Sequence, residues 1–194
     1  MIVADGRRCW ALVGVALAVS LGGACGGDSG AGGDEVVAPD AYVGKVCQAA
    51  VQWNKEVGVA FNDSEWSKSD DSSESIRRGM LGLYDDSRSA TYDLRARIDD
   101  AGIPDVPDGG AVVRELRASL TAAATRIDAI REEFADIPLT DIQPAASIEG
   151  SLTAFAEKTD SVNAAVARLG ETSPLLRQAR ERDPACIEVD KQMG

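Results

Sequence analysis

Residues 111–134 read AVVRELRASLTAAATRIDAIREEF, and the apolar positions fall at Val113, Leu116, Leu120, Ala123, Ile127, Ile130 and Phe134. Steps of three and four keep one side chain per turn on the same face of a 3.6-residue helix, whereas a strand needs steps of two. The stretch predicts an amphipathic helix, and three other segments repeat its spacing. One opens at Pro39 and carries Val43, Val46, Ala50, Trp53, Val57 and Ala60, with Cys47 beside the stripe. The next runs through Ile76, Met80, Leu83, Ser87, Ala90, Leu94 and Ile98 until Gly102 and Pro104 stop it. The last follows Pro144 with Ile148, Leu152, Phe155, Thr159, Val162, Val166 and Leu169, and Gly170 closes it. TSPLLRQARER, residues 172–182, predicts a short fifth helix with Ser173 as cap and Pro174 at the first position, broken at Pro184. Cys186 then falls in the tail.

Four long amphipathic helices joined by short loops pack most economically side by side, so the expected fold is all-α. It is an antiparallel four-helix bundle with a short C-terminal fifth helix. Composition agrees: of the 194 residues 44% are hydrophobic but only 5% aromatic, which suits an interior of Ala, Val, Leu and Ile between closely spaced helices. The length fits one domain, expected over residues 39–194.

Charge and missing residue types exclude whole classes of function. The chain has 32 acidic and 20 basic residues and a formal charge of −12. Such a surface is repelled by phosphate backbones and anionic head groups, so neither nucleic acid nor direct electrostatic membrane binding is expected. Histidine is absent, which removes Ser-His and Cys-His catalysis and histidine metal sites. There is no Gly-x-Ser-x-Gly elbow, phosphate-binding Gly-Lys-Ser/Thr loop, dinucleotide fingerprint or spaced acidic calcium loop. No cofactor, metal or catalytic residue is therefore assigned. Adjacent acids recur at Asp70/Asp71, Asp85/Asp86, Asp99/Asp100 and Glu132/Glu133, but helix neighbours point about 100° apart and do not form an acid-base dyad. They read as solvated helix faces.

The N-terminus has the layout of a secretory signal. MIVADGRR ends in two arginines, CWALVGVALAVSL is an apolar run too short for the ~20 residues of a spanning helix, and small residues follow. An uncleaved anchor is the alternative. The arginine pair with Trp10 also resembles a twin-arginine export signal, so the export route stays open. Before Cys25 stand Gly23 and Ala24, and this end of the segment resembles the lipobox of bacterial lipoproteins, whose cysteine receives a diacylglyceryl group and becomes the new N-terminus. The resemblance implies a lipoprotein signal over residues 1–24 and lipidation of Cys25. Leu21 lies one step further from the cysteine than the family's usual leucine, which leaves ordinary signal-peptidase cleavage after Ala24 as the alternative.

Counting thiols bears on that choice. Cys9 leaves with the leader, and Cys47 and Cys186 lie at opposite ends of the folded region in a chain bound for an oxidising compartment, where they can pair. Cys25 is then the odd thiol, exposed unless it is modified. Acylation there is a stable tether when two or more chains are attached. Removing residues 1–24 leaves 18 basic and 31 acidic residues, a charge of −13. The glycine-rich acidic stretch that follows, within residues 25–38, reads as a flexible linker with a reach of roughly 20 Å. Trp66, in the acidic connection FNDSEWSKSDDSSES, belongs to no apolar stripe; it is either a cover over the bundle end or a partner contact.

The VCQAAVQW start with its Cys to Trp spacing, the mid-chain GIPDVPDGG and the terminal DPACIEV are similar to small secreted proteins and lipoproteins of actinobacteria. The resemblance implies an extracytoplasmic address and carries over no active-site residue. The function expected from all this is a non-enzymatic lipoprotein held on the outer face of the cell membrane through Cys25, binding an envelope protein or small ligand. An enzyme using carboxylates alone, a structural spacer and a freely secreted protein are the alternatives.

Overall fold

Helices dominate the computed structural model, which describes residues 35–63, 72–141 and 144–193. Cys25, the leader, most of the linker and Trp66 lie outside the described residues. The elements, in chain order, are β1 (Val36–Val37), α1 (Pro39–Asp63), α2 (Ser73–Asp99), β2 (Ile103–Pro104), α3 (Gly109–Ala135), a 3₁₀ turn (Leu139–Asp141), α4 (Pro144–Ala167), α5 (Leu169–Thr172), α6 (Pro174–Arg182) and α7 (Pro184–Met193).

Every stripe position read in the first three helices is buried, as are Phe155, Val162, Val166 and Leu169 of the fourth, while Leu152 and Thr159 are half-buried. One continuous apolar cluster joins residues of α1, α2, α3, α4, α6 and α7. Full burial of each large aliphatic or aromatic side chain contributes about 1.5–3 kcal/mol, so the stripes hold the helices together more than helix propensity does. Helix α1 packs on α2, α2 on α3, and α3 on α4, while α6 and α7 lie against α1.

Polar contacts fix the relative register. Asp99 pairs with Arg117, Arg88 with Asp128 at 2.7 Å and Asp85 with Arg131 at 2.6 Å. Each step back along α2 is matched by an equal step forward along α3, which makes these two helices antiparallel. Deeper in, the indole Nε1 of Trp53 donates to Thr91 Oγ1 at 3.1 Å, and that hydroxyl donates to the Ser87 carbonyl at 2.8 Å. Asn54 and Asn163 exchange side-chain hydrogen bonds of 3.1 Å between α1 and α4.

Three features depart from the sequence reading. The C-terminal tail is helical. Asp183 ends α6 and its carboxylate accepts from the amides of Ala185 and Cys186 at 2.8 and 3.1 Å, so Pro184 starts α7 at a position where its missing N–H costs nothing. The fourth helix stops at Ala167, and a separate turn, α5, carries Leu169 and Gly170 into the capped start of α6, where Ser173 Oγ accepts from Leu175 N. Finally, Val36 and Val37, assigned above to the linker, form a parallel pair with Ile103 and Pro104. The amides of Ile103 and Asp105 donate to the carbonyls of Glu35 and Val37 at 2.7 and 2.8 Å. Two glycines make room for this clasp. Gly102 has φ +89°, and a Cβ there would sit 2.6 Å from the Glu35 carbonyl oxygen; a Cβ on Gly109 would come within 2.1 Å of the Pro104 oxygen.

Candidate functional site

Cys47 and Cys186 form a disulfide with Cα atoms 4.9 Å apart, and both residues are fully buried. The bond ties the first long helix to the last, because Cys47 lies on α1 and Cys186 in the first turn of α7. Two ion pairs tie α6 to the same two helices: Arg182 reaches Asp40 of α1 at 3.0 Å, and Arg180 pairs with Asp190 of α7. This is a structural staple, since buried cysteines joined in a bond offer no nucleophile.

The surface feature with the mixed character of a ligand site is a groove of about 410 Å³ between α1 and α2. Its floor is the small side chains Ala60 and Ala90, and half-exposed Val59 stands on the α1 rim. Gln52, Lys55 and Glu56 line the α1 wall; Asp86, Ser89 and Asp93 line the α2 wall. The groove exists because the two stripes turn their large residues into the core and leave alanine and serine where the helices meet at the surface.

Glu56 on the α1 wall is held by two donors. Glu56 Oε1 accepts from Gln52 Nε2 and from Arg97 Nη2, both at 2.9 Å. Burial alone opposes the charged carboxylate, but the hydrogen bonds from Gln52 and Arg97 and the charge of Arg97 outweigh it, and the Glu56 pKa is lowered. Glu56 is thus an ionised anchor already neutralised by Arg97, unsuited to general acid work near neutrality. Asp86, Asp93 and Lys55 have no ion-pair partner among the described residues. The arrangement recognises by shape and charge; among the described residues no group of three or more acidic, cysteine or histidine side chains converges to hold a metal ion.

Asp70 and Asp71 lie outside the described residues, but Asp85/Asp86 and Asp99/Asp100 diverge as helix geometry requires. Asp85 faces α3 and pairs with Arg131 while its neighbour Asp86 lines the α1/α2 groove. Asp99 likewise turns to Arg117, whereas Asp100 takes the C-cap of α2. Trp53 is core, as its place in the stripe implied. Sequence reasoning missed the groove, which left no signal in the spacing of either helix. No helix among the described residues is long and apolar enough to cross a membrane.

Comparison with protein-family models, with curated proteins and with solved structures finds no match to this chain.

Proposed function

We propose that this protein is an extracytoplasmic lipoprotein, an antiparallel four-helix bundle with additional C-terminal helices, tethered through Cys25 and acting as a non-enzymatic binding module of the cell envelope. The observation that carries the reading is the Cys47–Cys186 disulfide. A buried, stapling disulfide belongs to an oxidising compartment, which fits a chain whose residues 1–24 have the layout of an export signal. It also consumes both cysteines of the helical region, so Cys25 is the cysteine beyond the leader left for modification. The α1/α2 groove, with small apolar floor and unpaired charges, supports binding over catalysis.

The test is the intact mass of the mature protein, taken without reduction from its native membranes. The expected mass begins at Cys25, carries the acyl chains and is two hydrogens short of the reduced chain. A mass beginning at Cys25 without acyl chains makes it a free secreted protein, and a mass retaining the leader overturns the tether through Cys25 in favour of an uncleaved anchor.

A further inference from the structure

We infer that the α1/α2 groove is a docking site for a short basic amphipathic helix of a partner protein. This rests on the binding-module reading and names the partner's chemistry. Asp86 and Asp93 stand seven residues apart on α2, a rise of about 10 Å on one helix face. A helix laid along the groove has the same rise, so basic residues at its positions i and i+7 meet the two aspartates in register. Between them the apolar contact is Val59, which is 50% exposed above the buried Ala60 and Ala90, and a partner residue at i+3 or i+4 covers it.

Charge complementarity selects this occupant. On α2, Asp85 and Asp99 are neutralised by arginines of α3, and across the groove Glu56 is neutralised by Arg97. Asp86 and Asp93 have no such partner among the described residues, and both face the groove. A helix bearing carboxylates at i and i+7 is rejected by the same two charges. Lys55 on the opposite wall pairs with an acid on the flank of the incoming helix and fixes its direction. Small residues in the floor let the two backbones approach closely, as helix-in-groove packing needs.

The probe is a fluorescein-labelled 15-residue alanine-based peptide with lysine at positions 4 and 11 and leucine at 7 and 8, titrated with the full chain at low salt and read by anisotropy. Controls carry glutamate at 4 and 11, or lysine at 4 and 9. Saturable binding of the i, i+7 lysine peptide alone is expected, weakened about three- to fivefold by Asp86→Asn and again by Asp93→Asn. Ser89→Trp, an exposed change that fills the groove and leaves the core untouched, should abolish it. Equal binding of all three peptides, no binding at millimolar protein, or indifference to both asparagine variants and to Ser89→Trp overturns the proposal. Those outcomes leave the mass of the membrane-derived protein unaffected, so failure of the groove and failure of the tether are told apart.

Discussion

Breaking the Cys47–Cys186 bond should cost as much as truncating one of the largest buried side chains. The bond joins residues 139 apart in sequence. On the chain-entropy model a cross-link closing a loop of that size removes about 17 cal/mol/K from the unfolded ensemble, which is about 5 kcal/mol at 25 °C. That is comparable to the whole net stability of a small domain. The loss also has a local address, because α7 buries little besides Cys186 and Val189 and depends on the bond to stay against α1. At about 2–4 °C per kcal/mol for a domain of this length, reduction should lower Tm by about 10–20 °C. Differential scanning calorimetry of the reduced and oxidised wild-type chain measures it, with amide exchange expected to rise first in α7. The Cys47→Ala, Cys186→Ala double variant is a harsher comparison, since it also removes two buried sulfur atoms. A Tm change below about 4 °C on verified reduction would refute the reasoning, and would mean that the unfolded chain is already compact or that the bond strains the native state.

Gly102→Ala should destabilise by about 1–3 kcal/mol, because it forces an L residue to φ +89° and sets a Cβ 2.6 Å from the Glu35 oxygen; faster amide exchange at Ile103 and Asp105 reports the opened clasp. Thr91→Val leaves the buried Trp53 indole without its acceptor and should cost about 1–3 kcal/mol in urea unfolding, with the helical content unchanged. Tyr42 is fully buried, and its pKa is pushed up from 10.0 to about 12, chiefly by desolvation, with the Arg117 charge lowering and the Asp99 charge raising it. The unfolded chain therefore loses this proton first. The stability it contributes is fully present below pH 10 and is lost as pH rises from 10 to about 12, by about 2–3 kcal/mol. Tyr42→Phe should flatten that part of the alkaline stability profile, and an unchanged slope would sink the assignment.

The helices were legible because one physical quantity, the spacing of Val113, Leu116, Leu120 and their counterparts, decides both helix and buried face. The missed helix α7 shows a misjudged signal. Asp183-Pro184 has the same cap-then-proline order as Ser173-Pro174, so the proline that ends α6 also starts α7. Strands β1 and β2 left no trace, since two residues carry no alternation and their pairing depends on a contact across the whole of α1 and α2. The disulfide was legible by counting. The groove was not, because it depends on how α1 and α2 are rotated against each other, which brings Ala60 and Ala90 into one groove; no single helix contains that information.

The ion pairs between α2 and α3 lie at the surface, and each contributes roughly 0.2–1 kcal/mol. Their order matters more than their strength. Along α2 the signs run acid, base, acid at Asp85, Arg88 and Asp99, and the facing residues of α3 are Arg131, Asp128 and Arg117. Sliding α3 by three residues one way sets Asp85 opposite Asp128, and sliding it the other way sets Arg88 opposite Arg131. An apolar stripe that repeats nearly every turn discriminates less sharply against such a slip where leucine and isoleucine exchange places, since that swap conserves volume. The charges do not tolerate it. They work as a key cut into the outside of the hairpin, favouring one alignment of the two helices over its neighbours.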